Sequence, residues 1–314
     1  GSGIAGPGIM DRMESMMRQG VAEGAVAMGF GLAYTPAATQ TEFEAMLAIA
    51  AENQVSAHIH TRGGLDGLRQ IIASAGDAGT PLHIVHANSS GGSTIDDFLA
   101  IIQAARDAGQ DVTTEMYPYE ASYSDIGSAL FDGWESWEDD RFSRNMWVAT
   151  GERLTRESFA RYRQITGGMI TFSRTVEMTR TALRHPLTMI ASDGRILDGK
   201  GHPRSAGSYS KVLGQYVREE QLIDLMDALR RMTIEPARRL QAYVPAMANK
   251  GRIRVGADAD ITVFDPETVL DQATYTDPAL PSRGIEYVLV NGGIVLDDGT
   301  LHPEIRTGVA IKND

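Results

Sequence analysis

Two histidines separated by a single residue stand out in residues 56–64, SAHIHTRGG. In a β-strand, side chains alternate between the two faces, so His58 and His60 would point to the same side. That spacing suits two ligands of one metal ion. It equally suits a pocket lined by His60 and Arg62, or two hydrogen-bonded histidines at the end of a strand. All three interpretations stay open at this point.

Other residues able to do chemistry follow later apolar runs. His86 lies near the end of PLHIVHAN, Glu115 and Tyr117 lie in DVTTEMYPY, and Asp193 follows PLTMIAS. Neutral imidazole is a good zinc ligand, and a carboxylate can bind a metal or accept a proton from water. Tyr117 is a poor ligand, because a phenol with a pKa of about 10 stays protonated. Each of these residues also has a structural interpretation. His86 could be a structural histidine, Glu115 a buried and paired carboxylate, and Asp193 part of a turn that caps a helix. We also expect His83 to face away from His86.

An arginine follows the last of these runs within the sequence GHPR. Arg204 could hold a carboxylate by two parallel hydrogen bonds, which a lysine could not reproduce, and His202 would lie beside it. The ordinary alternative is an exposed loop arginine. Residues 125–144, which include Trp134 and Trp137, form a connection long enough to act as a lid over a site.

Composition excludes several classes of protein. The 314 residues include no cysteine, so disulfides and thiolate ligands are excluded and a metal site would need His, Asp, Glu or a modified Lys. A formal net charge of -12 argues against nucleic acid as a partner. No apolar run approaches the roughly 20 residues of a transmembrane helix, and no secretion signal is visible. We therefore expect a soluble, cytoplasmic protein that has no membrane partner and can form homo-oligomers.

Short apolar runs alternate with segments of helical spacing along most of the chain. The predicted strands are residues 25–32, 55–60, 81–88, 111–119, 169–173 and 187–192. The predicted helices include residues 41–52, which begin with a capping box of Thr41 and Glu44, together with 65–78 and 94–108. About six such units predict a parallel α/β sheet. A (β/α)8 TIM barrel is our first choice because the polar residues follow the strands, although six strands are two short of eight.

The pattern changes after residue 240. Residues 251–264 and 284–297 read as strands without long helices between them, and Asn291-Gly292 is a strong hairpin signal. We therefore divide the chain into a partial barrel over residues 1–240, which carries the catalytic groups, and a small C-terminal β-domain segment over residues 241–314.

Several of these segments together resemble one family. ADADITVFDP, VLVNGGIVLDDG, PLTMIASDG, GHPR, LGQYVREE and DVTTEMYPY are similar to sequences of the amidohydrolase superfamily, in its D-aminoacylase and N-acyl-D-amino-acid deacylase branch. The resemblance runs from about residue 10 onward. It implies a TIM-type barrel whose first two strands, including a first-strand His-x-His, are absent from this chain. On that expectation the chain corresponds to roughly the last three-fifths of a complete enzyme.

The resemblance also implies roles for individual residues. His86 would bind a divalent metal, with zinc as the expected ion, and Asp193 would bind it and carry the proton. AHIHTRG is similar to a strand whose His-x-Arg pair lines the pocket, which favours His60 and Arg62 as substrate-binding residues together with Tyr117, His202 and Arg204. Tyr117 replaces a histidine that relatives use for metal binding, which weakens the site.

The expected function is metal-dependent hydrolysis of the amide C–N bond of an N-acyl-D-amino acid by metal-activated water. An alternative of a different class is a non-catalytic partial barrel. Such a protein would self-associate, or pair with a chain that supplies the missing strands, because its sheet has open edges.

Overall fold

The computed structural model describes residues 3–313, which contain eleven α-helices and fourteen strands. The helices are α1 (Pro7–Ala22), α2 (Gln40–Glu52), α3 (Gly64–Ala78), α4 (Ala87–Gly91), α5 (Ile95–Asp107), α6 (Asp139–Ser143), α7 (Arg156–Arg163), α8 (Val176–Arg184), α9 (Arg204–Lys211), α10 (Leu225–Met232) and α11 (Ile234–Gln241). The strands are β1 (Ala27–Phe30), β2 (Ser56–Ile59), β3 (Leu82–Ile84), β4 (Val112–Met116), β5 (Ala121–Asp125), β6 (Asn145–Trp147), β7 (Gly168–Phe172), β8 (Thr188–Ile190), β9 (Ile196–Leu197), β10 (Lys200–Gly201), β11 (Ile261–Phe264), β12 (Ile285–Val290), β13 (Gly293–Asp297) and β14 (Thr300–Leu301).

The centre of the fold is a parallel sheet with the strand order β1-β2-β3-β4-β8. Every neighbouring pair in it is parallel, with His58 of β2 aligned to His83 of β3. Helices α2, α3 and α5 each connect two adjacent strands, as a parallel pair requires. Their apolar faces pack on the sheet in one large core that includes Leu47, Leu68 and Leu99. The predicted α/β class is confirmed.

One predicted strand lies elsewhere. The run at residues 169–173 is β7, which pairs antiparallel with β5 and β6 in a separate three-stranded sheet. The parallel sheet within residues 3–313 therefore has five strands and not about six. An apolar run predicts a strand but not its neighbours, because either kind of sheet can bury it.

The start of α2 also differs from the prediction. The Thr39 side chain caps this helix by accepting a hydrogen bond from the Glu42 backbone nitrogen at 3.1 Å. The predicted capping box of Thr41 and Glu44 is wrong, because the helix already begins at Gln40.

An aromatic cluster fills the space between the three-stranded sheet and helices α6 and α7. Phe142 and Phe159 are its centre, with Trp134 and Trp137 packed against both rings at centroid distances of 5.2–6.3 Å. The turn Ala129–Phe131 of this unit lies against Leu32–Tyr34, which follows β1. Residues 125–144, predicted as a possible lid, are therefore a packed part of this unit, next to the end of the parallel sheet.

The C-terminal part contains an antiparallel sheet with the order β11-β12-β13-β14. The hairpin between β12 and β13 turns at Asn291 and Gly292, both with positive φ (46° and 83°), so the predicted hairpin is confirmed. Between β11 and β12, the segment 265–283 packs back on the rest of the chain, with Val269 fully buried. Across residues 3–313, none of the helices combines the length and apolar character needed to cross a bilayer.

Phe159→Ala should lower the free energy of unfolding by about 3–5 kcal/mol, because it removes a fully buried ring and leaves a cavity. All three tryptophans of the chain, Trp134, Trp137 and Trp147, lie in or against this cluster, so their fluorescence during urea unfolding reports on it. Ile165→Ala is the control, because Ile165 is 64% exposed and its loss should cost less than about 1 kcal/mol. Equal effects of the two substitutions would contradict the packing described.

Candidate active site

Three of the predicted site residues lie just beyond the carboxyl ends of parallel strands. His60 follows β2, His86 follows β3 by two residues, and Asp193 follows β8 by three. Parallel pairing brings these ends to one edge of the sheet. His86 and Asp193 both have positive φ (41° and 47°), a strained conformation for residues other than glycine. The backbone is therefore bent sharply at both positions, as is common in functional sites.

His60 and His86 touch through their ring nitrogens. Nδ1 of His60 lies 2.6 Å from Nε2 of His86, and Nδ1 of His86 lies 3.1 Å from Ser90 Oγ. One proton lies between the two rings, since a hydrogen bond needs one donor and one acceptor. Tyr34 Oη is 3.4 Å from the same nitrogen of His60. Burial lowers the pKa of His60, and it lowers the pKa of His86 to about 3, so both rings are neutral at pH 7.

Asp193 is paired with Arg204 at the same edge. Oδ2 of Asp193 lies 2.9 Å from Nη1 of Arg204, an ion pair whose angle is not that of a hydrogen bond. Burial raises the pKa of the Asp193 carboxyl, partly opposed by Arg204. The Asp193 charge in turn favours protonation of His60, although burial dominates there. A Cβ on Gly194 would lie 2.8 Å from the Ser205 Cα, so the two segments fit closely only with glycine.

A second polar cluster lies beneath the His60–His86 pair. Nδ1 of His83 is 2.8 Å from Thr113 Oγ1 and Nε2 is 3.2 Å from Glu115 Oε2, while Glu115 Oε1 accepts a hydrogen bond from the His86 backbone nitrogen. Burial raises the pKa of Glu115, but these contacts outweigh it and the pKa is lowered. Glu115 is thus a buried, paired carboxylate. The ring centroids of His58 and His83 are 4.7 Å apart, so His58 belongs to this second cluster.

His83 was expected to face away from His86, and that prediction is wrong. His83 pairs with His58 and His86 with His60, on one side of the sheet. The alternation rule fails because His86 lies beyond the strand in the left-handed conformation.

Tyr117 lies between two guanidinium groups. Its side chain is 1% exposed, its hydroxyl oxygen accepts a hydrogen bond from Arg174 Nη2 at 2.7 Å, and Arg204 Cζ is 4.4 Å from its ring centroid. The Tyr117 carbonyl accepts a hydrogen bond from Asn88 Nδ2. Tyr117 therefore holds two arginines at the edge of the site.

Two other predicted substrate-binding residues have structural partners. Arg62 donates to the backbone carbonyls of Thr35 (2.8 Å) and Ala38 (2.5 Å), so its guanidinium fixes the loop after β1. His202 is fully buried, with both ring nitrogens hydrogen-bonded to backbone. Both side chains are therefore engaged with the backbone of this chain.

Sequence reasoning missed Tyr34, Ser90 and Arg174 as members of the site. Arg174 follows β7 by two residues and Tyr34 follows β1 by four, so a systematic search of strand ends would have identified them. Ser90 lies in the short helix α4, and its contact with His86 gives no signal in the sequence.

The donors at this edge are of a type that zinc prefers. Two nitrogens bound to one tetrahedral zinc lie roughly 3.3 Å apart, so the 2.6 Å contact of His60 and His86 needs only a small opening. Within residues 3–313, no group of three or more His, Cys, Asp or Glu side chains is arranged to hold a metal, and Asp193 is turned toward Arg204. The described residues therefore provide a histidine pair and a nearby carboxylate, but not a complete set of ligands.

Comparison with known proteins shows which proteins this chain is similar to. Residues 161–296 match the Amidohydrolase family. The chain is 33% identical, over 96% of its length, to N-acyl-D-glutamate deacylase of Alcaligenes xylosoxydans xylosoxydans, and 29% identical, over 90%, to D-aminoacylase of the same organism. It spans 64% and 60% of the length of these two relatives.

A solved structure agrees with these matches. The crystal structure of N-acyl-D-glutamate deacylase from Bordetella bronchiseptica, complexed with zinc and a phosphonate that mimics the tetrahedral intermediate, has a TM-score of 0.80 and 30% identity. The match covers 99% of this chain and 66% of that chain. The α/β fold with a separate β-sheet thus resembles that of amidohydrolases. The chain is thus similar to members of the D-aminoacylase branch of the amidohydrolase superfamily, and the resemblance found in its sequence is confirmed.

The buried histidines predict a loss of stability in mild acid. His58 and His86 have pKa values lowered by burial to about 3. Unfolded histidine binds a proton below about pH 6.5, so unfolding takes up protons and each of these histidines removes up to about 1.4 kcal/mol of stability per pH unit. Urea unfolding of the metal-free protein should show the free energy of unfolding falling between pH 6.5 and pH 5.

Replacing one of these histidines tests whether they cause the pH dependence of stability. His58→Asn should make the dependence on pH shallower by about one proton, whereas His302→Gln, at a more exposed histidine near the C-terminus, should leave it unchanged. A stability that stays constant over this range would mean that the histidines are not held neutral.

Proposed function

We propose that this chain is the catalytic part of a metal-dependent amidohydrolase that cleaves the amide bond of N-acyl-D-amino acids. The observation that carries the proposal is the 2.6 Å contact of two neutral histidine rings, beside the Asp193 carboxylate, at the carboxyl edge of a parallel sheet. Homology to N-acyl-D-glutamate deacylase and D-aminoacylase supports it. The same homology disfavours the alternative of a non-catalytic partial barrel.

We further propose that the five parallel strands are part of a (β/α)8 barrel, with residues 1–240 as its segment and residues 241–314 as a segment of a small β-domain. Supporting this are the continuous parallel order of the sheet and the separate antiparallel sheet that begins at β11. Homo-oligomerisation and a cytoplasmic location stay predictions. Light scattering against the chain mass of 34.0 kDa tests the former.

His60 and His86 are the residues that would hold a zinc ion, with Asp193 as the nearest carboxylate. Both rings are neutral, and the proton between them would move to the other nitrogen of its own ring when both of these nitrogens bind the ion. This assigns His60 to the metal but not His58, whose ring lies against that of His83. Ser90 Oγ fixes the orientation of the His86 ring through its second nitrogen, as partners of metal-binding histidines commonly do.

The chemistry assigned to Asp193 is proton transfer. When bound, zinc would polarise the acyl carbonyl and increase the acidity of water. Asp193 would accept a proton from the attacking water and donate it to the departing amine nitrogen, as the C–O bond forms and the C–N bond breaks. Burial raises the pKa of this carboxyl, which makes the carboxylate a stronger base. Arg204 holds Asp193 and would bind the carboxylate of an acyl amino acid.

Arg174 suggests a substrate with an acidic side chain. Its hydrogen-bond partners are neutral oxygens of Ser89, Tyr117 and Tyr119, and its Nε has no partner among the described residues. A largely enclosed cation with neutral partners favours an anionic ligand. Together with Arg204 it would give the site two guanidinium groups for two carboxylates. The N-acyl-D-glutamate deacylases among the relatives are consistent with such a substrate.

Metal and proton roles can be separated by two substitutions. His86→Ala should abolish stoichiometric zinc binding, measured by elemental analysis after gel filtration. Asp193→Asn should retain zinc through the two histidines but lower kcat for N-acetyl-D-glutamate by about 100-fold or more, the usual contribution of a general acid–base group.

His302→Gln serves as the control for both measurements, because His302 lies in the C-terminal sheet region. Full zinc loading of the His86→Ala protein would refute the metal assignment. A wild-type protein that is fully loaded with zinc but inactive on N-acyl-D-amino acids would refute the substrate assignment.

Arg174→Gln should raise KM for N-acetyl-D-glutamate by about 10- to 100-fold, the equivalent of one charge-assisted hydrogen bond, with little effect on N-acetyl-D-alanine. Steady-state kinetics with both substrates give the comparison. Arg153→Gln is the matched control, because Arg153 packs on Phe172 with an exposed guanidinium. An equal loss with both substrates would show that Arg174 has no role in side-chain selection.

A further inference from the structure

The turn that precedes Arg204 contains a buried histidine whose two nitrogens have opposite hydrogen-bonding roles. His202 Nε2 lies 3.1 Å from the Ala121 carbonyl oxygen, and Nδ1 accepts a hydrogen bond from the Arg204 backbone nitrogen at 3.0 Å. A carbonyl can only accept and an amide N–H can only donate. The ring is therefore fixed as the neutral tautomer that carries its proton on Nε2.

The environment of His202 keeps the ring in this state. Burial lowers its pKa well below the usual value, and Arg204 adds to the effect, so the ring does not gain a second proton near neutral pH. A protonated ring would lose the acceptor on Nδ1. Neutrality is thus a condition of the contact with Arg204.

The ring is also enclosed by two aromatic edges. Tyr119 and Tyr275 meet it nearly at right angles, with centroid distances of 5.4 and 5.2 Å. Tyr275 comes from the segment 265–283, which is anchored where the Tyr119 hydroxyl donates a hydrogen bond to Asp271 Oδ2 at 3.1 Å. A segment from the C-terminal third of the chain therefore limits how His202 can rotate.

The amide that His202 holds is the first of helix α9. Helix α9 begins at Arg204, and the first amides of a helix have no partner within it. Pro203 is at the N-cap position and has no side-chain hydrogen bond to offer, so His202 takes over that function. The Arg204 side chain, 3% exposed, extends from this same residue to Tyr117 and Asp193.

We propose that His202 is a positioning residue: as a neutral acceptor it caps the first amide of α9 and so fixes Arg204, and through Arg204 the carboxylate of Asp193. This inference rests on the proposed function for its effect on turnover. The substrate contact predicted for His202 is replaced by an indirect role. The competing explanation is that the ring merely fills space between Tyr119 and Tyr275.

Two substitutions separate these explanations, because each retains one of the two hydrogen bonds. In His202→Asn, Oδ1 can take the position of Nδ1 and accept from the Arg204 amide. In His202→Gln, the amide nitrogen can replace Nε2 and donate to Ala121, but the acceptor for Arg204 is lost. Both remove the ring, so a purely structural role predicts equal effects.

The first measurement does not depend on activity. Hydrogen–deuterium exchange of the Arg204 amide, followed by mass spectrometry of short peptides from the full chain, should be about fivefold or more faster in His202→Gln than in His202→Asn, as loss of one hydrogen bond implies. Equal exchange rates in the two variants would overturn the cap. Thermal unfolding of both variants provides the control for loss of the ring.

The second measurement tests the consequence for the site. In the zinc-loaded protein, kcat/KM for N-acetyl-D-glutamate should be about fivefold or more lower in His202→Gln than in His202→Asn, by the same hydrogen-bond argument. Equal kcat/KM values in two folded variants would overturn the positioning role. A wild-type protein without activity would refute the proposed function, while the exchange rates would still decide whether His202 caps the helix.

A third measurement remains if neither variant folds. In wild-type protein labelled with ¹⁵N-histidine, the His202 signals should show a protonated Nε2 and an unprotonated Nδ1. The opposite tautomer, or a doubly protonated ring at pH 7, would overturn the proposal.

Discussion

Parallel pairing of short strands is the constraint on which the site depends. Strands β2, β3 and β8 each contribute only three or four residues to the sheet, yet their common direction brings His60, His86 and Asp193 to one edge. These residues are far apart in sequence, so no local interaction could bring them together. The backbone turns sharply at His86 and at Asp193, where His86 meets His60 and Asp193 meets Arg204.

At this edge of the sheet, the charge states of the histidines and of the carboxylates are set in different ways. Burial keeps the histidines neutral, which suits them to bind a cation through nitrogen. The carboxylates are instead stabilised by contacts with specific groups: Glu115 with His83 and the His86 backbone amide, and Asp193 with Arg204. Neutral rings lie beside paired carboxylates, so the site avoids isolated buried charges, which are costly.

Two units outside the parallel sheet support this edge. The aromatic unit between β5 and β7 lies against the turn that carries Tyr34, and the segment after β11 encloses His202 through Tyr275. Both contacts reach residues next to the central groups: Tyr34 contacts His60, and His202 contacts the Arg204 amide. The precision of the site therefore depends on packing between segments that are distant in the chain, and mutations in either unit can alter the site without touching it.

The sequence by itself determined the α/β class, most strand and helix positions and the C-terminal hairpin, and it singled out His86 and Asp193 as candidates for the site. Periodicity, turn residues and a family resemblance are local signals and survive without coordinates. Tertiary structure decided which runs pair: it moved residues 168–172 to an antiparallel sheet and placed His83 beside His58. It also determined which groups the side chains contact: Arg62 binds carbonyls of a loop, and His202 binds the first amide of a helix. It brought Tyr34 and Arg174 to the site as well. Such choices depend on distances between remote segments, and residue types alone do not encode these.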